Sequence, residues 1–539
     1  MMRVADFFCG GGGFYEGFRQ AGFQIVFAVD KWAPAVNTYK GNKPGVNVHQ
    51  DDVIRISLLP DEDFEKLVPD SEVIIGSPPC QSFSHSNKSG NADKSLGIQL
   101  IEAYLRIVAR KKFKKGSVLK HWVLENVPAV ENYIQEEYTA AELGLEGNFV
   151  LRTRDGASGK YNAKYFGAPT NRERYLCGDF PKPVATNTDE NVITLKQVLD
   201  SLGDPLRTDN DSIRDINYPG FALPSKQVTD QHYIFELAEF EYKTAKRLKQ
   251  DKGYMGKMSF PEDVNRPART VMATMTASAR EAMILGFGEN RYRLPTVRET
   301  ACMMGFPIDY WFYGESKGVK HTLVGNAVPP KLSYAVAVAI AKAENEEVPT
   351  EYIPIQHALD DEQLTFFNLN GSKFEIRKEQ PKKKDAKFKY HIPYLIIDAY
   401  RVELTNYSSD FKNGKYEWKT EVHYSQGKDK AKIYTPYVSI KTISPQYKDC
   451  INEYIEGVKE RIPRMNRFQK VYCMTADARA QQRYFGPFEL LDDIKCFIDK
   501  LFTEDEKKTY VKFGKDSTAP QAIVVGYLIL KRIVTYMGR

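Results

Sequence analysis

Little in this 539-residue chain points to disulfide or metal chemistry. Its seven cysteines (9, 80, 177, 302, 450, 473 and 496) are scattered with no CxxC pair, and it has only eight histidines. That usage argues against a disulfide framework or a zinc cluster and fits a reducing cytoplasm. No metal is expected. Long apolar runs are also scarce: the stretches around Ala335 to Ala341 and Ala522 to Leu530 fall well short of the roughly 20 residues of a membrane span, so no bilayer crossing is expected. The chain enters the strand-like run Val4-Ala5-Asp6-Phe7-Phe8 almost at once, leaving no room for a signal peptide, which makes secretion an unexpected outcome. A strong excess of one charge is missing too. Against 70 acids stand 76 lysines and arginines, a net charge of +6, as compatible with a polyanionic partner as with an ordinary surface. The length alone implies two or three domains.

What is present is a succession of strand ends carrying polar groups. Val4 to Phe8 leads into Cys9-Gly10-Gly11-Gly12-Gly13 and then Phe14 to Gly22, a strand, glycine loop and short helix. A second strand, Gln24 to Val29, ends at Asp30 about 20 residues after the loop, where doubly wound folds set an acid against ribose hydroxyls. The loop lacks clean GxGxxG spacing, so it matches an adenosine site better than a dinucleotide site. A third strand end supplies Asp51-Asp52-Val53. The fourth, Val73-Ile74-Ile75, runs into Pro78-Pro79-Cys80-Gln81-Ser82-Phe83 and sets Cys80 in a rigid turn where open parallel sheets present reactive groups. By itself Cys80 reads more readily as a small packing residue, because a thiol titrating at about 8.5 needs a cationic or dipolar neighbourhood to act as a nucleophile. A helix over about Leu96 to Lys112, with a basic end that suits a helix C-terminus, precedes a fifth strand, His121 to Leu124, which delivers Glu125-Asn126-Val127-Pro128.

In this order the residues resemble the DNA cytosine-5 methyltransferase family over about residues 3–343. Asp6 to Gly10 with Gly12-Gly13 is similar to the cofactor loop, Gly76 to Ser84 to the nucleophile motif, and Glu125-Asn126-Val127 to the acid motif. Tyr165 to Pro169 followed by Arg172-Glu173-Arg174 is similar to the paired-arginine motif. Arg298-Glu299, Gly305-Phe306-Pro307 and Gly325 to Pro330 complete the series, and several short motifs in one order on alternating strands and helices are hard to obtain by chance.

The resemblance implies an α/β fold with a doubly wound, mostly parallel sheet, Rossmann-like, that binds S-adenosylmethionine. It implies that Cys80 adds to carbon 6 of a flipped cytosine, that Glu125 stabilises charge at N3, and that carbon 5 then takes the methyl group, leaving S-adenosylhomocysteine. Arg172 and Arg174 resemble the arginines that orient the carboxylate and the base edge; read bare, they also fit a surface ladder. For the cofactor the family pattern implies Phe8 against adenine, Asp30 on ribose, Asp52 at the adenine amino group, and Gly10, Gly12, Gly13, Val53, Pro79 and Ala327 lining the site, with Asn326 bracing it. Lys31 stands where an apolar or aromatic residue usually covers adenine. Thr170 and Cys302-Met303-Met304 are further departures, and none removes a reacting group. The polar stretch Ser82 to Gly90 suits a loop closing on DNA, or an ordinary surface loop.

The expected organisation is a catalytic core over 1–180, a target-recognition region over 181–290, a return to the core over 291–345, and an additional α+β domain over 350–539. Basic residues Lys243, Lys246, Arg247, Lys249, Lys252, Lys257, Arg266 and Arg269 in the recognition region could contact phosphates. The tail carries strand-like runs at Tyr394 to Leu404 and Tyr434 to Ile443, a basic stretch Lys378 to Lys389 and a helical end. Lys382-Lys383-Lys384 fits a solvated loop or phosphate contacts. Glu421 and Asp398 lie near lysines without forming a clean nuclease motif. The function expected is site-specific methylation of double-stranded DNA in a bacterial cytoplasm, protecting host DNA in a restriction-modification or phage-defence system beside a cognate endonuclease or defence subunit. The alternatives are an RNA cytosine-5 methyltransferase, a bifunctional enzyme with a C-terminal nuclease or DNA-binding module, and a non-catalytic binding protein that keeps the fold.

Overall fold

The computed structural model describes residues 1–79, 94–206, 212–251, 258–357, 374–424, 432–440, 443–514 and 517–539. Cys80, the loop Ser82 to Gly90, Lys252 and Lys257 lie outside the described residues. The chain divides into two compact units, one of residues 1–237 with 261–376 and one of residues 238–260 with 377–539.

Apolar runs make buried strands, and four of the five parallel strands of the first unit are of this kind; the third, Asn-Val-His-Gln, is a short edge strand with only Val48 buried. The five are β1 (Arg3–Phe7), β2 (Gln24–Asp30), β3 (Asn47–Gln50), β4 (Val73–Gly76) and β5 (His121–Asn126). β6 (Gly159–Asn162) and β7 (Glu173–Asp179) extend them into a seven-stranded sheet of order β3-β2-β1-β4-β5-β7-β6. β1 to β5 pair in parallel, and β7 runs antiparallel to both β5 and β6. The doubly wound, mostly parallel sheet expected from sequence is therefore present. Its strand order reverses between β1 and β4, the switch point at which such sheets open a crevice beyond the carboxyl ends of the strands.

Helix α1 (Gly13–Gln20) follows the glycine loop, and α2 (Val53–Ser57) follows β3 with Asp52 as its N-cap, the carboxylate accepting from Ile54 N at 2.9 Å. Helix α3 (Ser95–Phe113) lays Ile101, Tyr104, Leu105 and Val108 on the sheet at the i, i+3, i+4, i+7 spacing of one helical face. Tyr104 sits among Phe7 and Trp122, with ring centroids 6.4 and 6.3 Å away. Its hydroxyl donates to Val123 O at 2.8 Å, tying α3 to β5. The basic end of α3 is held within the unit: Arg110 pairs with Asp61 at 2.6 Å, and Lys111 with Glu65 at 2.8 Å and Asp70 at 3.0 Å.

Later elements close this unit. α4 (Val297–Met304) begins with a Thr296/Glu299 capping box and ends at Gly305, whose φ of 92° suits a left-handed cap. Arg298, fully buried, donates to the carbonyls of Thr229, Pro307 and Tyr310. α5 (Lys317–Asn326) and α6 (Pro330–Ala343) follow. The stretch Lys317–Ala343 is long and apolar enough to cross a membrane by length and composition, a longer run than the sequence reading marked. It is two helices interrupted at Ala327 to Pro329, and 67% of its most apolar window is buried inside the protein. α6 crosses α1 so closely that a Cβ on Gly17 would lie 2.3 Å from Tyr334 N.

The second unit contains a four-stranded antiparallel sheet, β8 (Lys389–His391), β9 (Tyr400–Thr405), β10 (Lys419–Tyr424) and β11 (Lys432–Tyr434), in sequential order. Val402, Leu404 and Val422 pack in one core with the buried helix Gln521–Met537, giving the expected α+β character. The strand expected from Tyr434 to Ile443 instead ends at Tyr434, two residues before Pro436, which has no N–H to give a ladder. The helix Glu239–Gln250 belongs to this unit. Its Arg247 pairs with Asp492 at 2.6 Å, and Asp251 just beyond it accepts from Tyr390 Oη at 2.7 Å and Tyr394 N at 2.9 Å.

Candidate active site

The carboxyl ends of the parallel strands gather most of the residues singled out by sequence. β1 and β4 end level with one another, Phe7 pairing with Gly76, and Gly76 pairs with Leu124, two residues before the end of β5. The next residue on each strand, Phe8, Ser77 and Glu125, therefore stands at one edge.

Glu125 is 4% exposed and held on both oxygens. Arg174 Nε lies 3.0 Å from its Oε1, and the Ser77 hydroxyl donates to Oε2 at 2.6 Å. β7 runs antiparallel to β5, which is how an arginine nearly 50 positions later reaches this carboxylate. The neighbouring Asn126 donates through Nδ2 to Pro78 O at 2.9 Å, so the backbone at Pro78 is fastened to the end of β5. Pro78 is buried and Pro79 exposed. Ser77 and Asn126 are positioning groups that motif reading passed over. The serine lies inside the motif string, but only the pairing of β4 with β5 brings it to Glu125.

Arg172 serves a different set of partners. It is 2% exposed and donates to Val271 O at 3.0 Å, Gly325 O at 2.8 Å and Ala327 O at 3.1 Å, joining the paired-arginine motif to the turn between α5 and α6. In that turn Ala327 is buried and Asn326 exposed.

The glycine loop divides into an open half and a packed half. Gly10 has φ +52°, and a Cβ there would meet only Phe8 O, at 3.9 Å. Gly12, at φ +81°, has Tyr310 Oη 2.1 Å from such a Cβ, and Gly13 has Val328 O at 2.1 Å. The Tyr310 hydroxyl donates to Gly11 O at 2.8 Å. Gly12 and Gly13 are thus glycine because the protein itself fills the space, whereas Gly10 faces room for something else. Phe8 also has a positive φ, 55°, rare for a bulky residue, so the turn after β1 is held by its surroundings.

Asp30 accepts from Gly10 N at 2.9 Å through one oxygen and from Trp32 N at 2.8 Å through the other, and burial raises its pKa. Beneath the loop, Asp6 is fully buried. Its Oδ2 accepts from Tyr39 Oη at 3.2 Å, while its Oδ1 has no hydrogen-bond partner among the described residues, and burial holds its pKa well above the usual carboxylate range. Asp52 pairs with the exposed Lys31 at 2.8 Å as well as capping α2, and the Lys31 contact lowers its pKa. Val53 is buried in the first turn of α2.

The fold and these groups define a doubly wound α/β enzyme whose polar chemistry collects at the switch point of its sheet. The family model described as C-5 cytosine-specific DNA methylase matches residues 2–342, and the chain belongs to this family of DNA cytosine-5 methyltransferases. Among curated relatives it is 28% identical over 368 residues to the type II methyltransferase M.MthTI of Methanothermobacter thermautotrophicus, covering 63% of this chain and 97% of that one. It is likewise 28% identical over 355 residues to the type II methyltransferase M.NgoPII of Neisseria gonorrhoeae, covering 63% and 96%. Among solved structures it is similar to the Dnmt2 methyltransferase of S. pombe, with 18% identity, a TM-score of 0.41, and coverage of 64% of this chain and 100% of that one.

Proposed function

We propose that this enzyme is a site-specific methyltransferase of the type II restriction-modification kind, transferring a methyl group from S-adenosylmethionine to carbon 5 of a cytosine flipped out of double-stranded DNA, with Cys80 as nucleophile. The observation that carries this reading is the clamped Glu125 carboxylate, fixed by Arg174 and Ser77 next to the Asn126–Pro78 bond, two residues before Cys80 in the chain. Thiolate addition to carbon 6 makes carbon 5 nucleophilic, and a carboxyl group at N3 offsets the charge that develops on the ring. Burial pushes up the thiols of the other cysteines in this unit, Cys9 well above its ordinary value, Cys177 to about 12, and Cys302 as well, which suits packing and not attack.

The residues around the glycine loop fit the methyl donor. Open space at Gly10, a carboxylate at Asp30 aligned by two backbone donors, and the unpartnered Asp6 oxygen make a polar cradle where a ribose and a charged amino-acid end can be received. When bound, S-adenosylmethionine supplies an electrophilic methyl group. Phe8, Asp30, Lys31, Asp52, Val53 and Pro79 would border its adenosine portion, and Gly10, Gly12, Gly13, Asn326 and Ala327 the opposite side. The protein's own part is to hold these groups and to fix Glu125. Cys80 reacts as the thiolate, its proton passing to solvent, and once carbon 5 carries the methyl group that carbon loses its proton and the bond to Cys80 breaks as the ring double bond re-forms. The relatives' description as type II methyltransferases supports the restriction-modification setting, and a cognate endonuclease that cuts the same site when it is unmethylated is the partner proposed for it.

Bisulfite sequencing of DNA from cells expressing the wild type or Cys80→Ala tests the reading. New 5-methylcytosine in one sequence context with wild type, absent with Cys80→Ala, is the expected result; none with folded wild type would overturn it.

A further inference from the structure

Outside the site described above, the second unit carries a cluster of ligand-type side chains. Alternate residues of a strand share a face of the sheet, so Glu421 and His423 of β10 lie together, and Glu403 of β9 stands opposite Glu421 in the antiparallel register. Two carboxylates directly opposed across strands repel each other unless something positive lies between them. Glu403 is 5% and His423 2% exposed, so water screens that repulsion poorly.

The surrounding cations meet only part of the need. Arg401 Nε bonds Glu403 Oε1 at 2.6 Å. Lys389 Nζ stays 3.4 Å from Glu403 Oε2 and 3.9 Å from Glu421 Oε2. His423 Nε2 lies 2.8 Å from Glu421 Oε2 and 3.1 Å from Glu403 Oε2, yet a ring nitrogen carries at most one hydrogen. Glu403 Oε2 accordingly has no hydrogen-bond partner among the described residues, although it points at the other two groups. One atom from each of Glu403, Glu421 and His423 can be chosen so that all three lie within 4.8 Å of one another.

We propose that Glu403, Glu421 and His423 form a binding site for a divalent transition-metal cation. Two carboxylate oxygens and one imidazole nitrogen suit manganese or zinc better than calcium or magnesium, which favour all-oxygen sets. The cation replaces the shared hydrogen, satisfies the orphaned Glu403 oxygen and removes the cross-strand repulsion, with Lys389 at the margin. Nothing in the methyl-transfer chemistry requires it, so the site belongs to a separate role of the second unit.

The test uses the untagged full-length protein, stripped with chelator and desalted. It is titrated with MnCl2 while free Mn2+ is read by electron paramagnetic resonance, then with ZnCl2 in competition. Stoichiometric binding to wild type is expected, weakened about tenfold or more in Glu421→Gln and His423→Ala and unchanged in the control Glu417→Gln. Glu421 is partly exposed, so Glu421→Gln decides the matter if the His423→Ala chain does not fold. Absence of a tight site for either ion in wild type, or full retention of binding in folded Glu421→Gln, would overturn the proposal.

Discussion

The two units place their charged groups in opposite ways. In the first, the polar residues sit at or just beyond strand ends, at the carboxyl edge of a mostly parallel sheet whose central strands are buried. In the second, Glu403, Glu421 and His423 lie in mid-strand, on one face of an antiparallel sheet whose other face packs against a helix core. A parallel sheet reserves its edge for chemistry because its faces are covered by helices, whereas an antiparallel sheet can carry polar groups across a whole face. The family match ends at residue 342, before the strands that carry Glu403, Glu421 and His423.

The sharpest way to separate the regions is to disturb Glu125. Glu125→Gln keeps the shape and the Arg174 neighbour but removes the group that can ionise and exchange a proton with the base; methylation by purified full-length protein, read as tritium transfer to DNA, is expected to fall by about 10²- to 10⁴-fold. Ser77→Ala should reduce kcat less, by about ten- to a hundredfold, since one neutral-donor hydrogen bond to a charged group is worth roughly 1.5–3 kcal/mol and Arg174 remains. A Ser77→Ala enzyme as impaired as Glu125→Gln would mean that the serine does more than position the carboxylate.

The glycine loop offers a comparison within the first unit. Gly12→Ala sets a methyl group against Tyr310 at a positive φ and should destabilise by at least about 1–3 kcal/mol, seen as a lower Tm. Gly10→Ala shares the φ strain but meets no wall, so it should keep more stability and lose affinity for S-adenosylmethionine in calorimetric titration. Equal melting temperatures for the two would contradict the division of the loop.

A deletion asks whether the regions are separable at all. The helix Glu239–Gln250 lies inside the stretch expected to recognise the target, yet Arg247 and Asp251 take their partners from residues 390–492. Removing residues 377–539 is therefore expected to cost solubility or sequence selectivity, read by bisulfite sequencing, and a fully selective truncated enzyme would show that the second unit is dispensable. The smallest effect concerns pH. Burial raises Asp215 to about 6, with its carboxylate accepting from Asn217 N at 2.7 Å and Ile308 N at 2.7 Å. Because its folded pKa lies above the unfolded one, stability from this group is complete below about pH 4 and is lost as pH rises toward 6. Urea midpoints measured across that window should lose this component of the slope in Asp215→Asn.

How far sequence reaches follows the same contrast. The ends of β2 and β5 were legible because a buried parallel strand and the polar residue at its end are contiguous, so the apolar run itself points at Asp30 and Glu125. Ser77 touching Glu125, Arg172 bridging to the carbonyls of Val271, Gly325 and Ala327, and Tyr310 beneath Gly12 depend on pairings between distant segments, which no local pattern carries. In the second unit Glu421 was noticed beside Asp398, but its cross-strand partner Glu403 is set by register. Asp398 instead accepts from Tyr510 Oη at 3.1 Å.

The central claim is that Cys80 bonds to the cytosine ring while Glu125 supports it. DNA in which 5-fluorocytosine replaces cytosine tests this most directly, because fluorine cannot leave as the carbon-5 proton does and the adduct persists. With S-adenosylmethionine, the full-length wild type should form a denaturation-resistant protein–DNA complex whose attachment maps to Cys80. The same complex formed by Cys80→Ala, or none from a wild type that methylates ordinary DNA, would contradict the account.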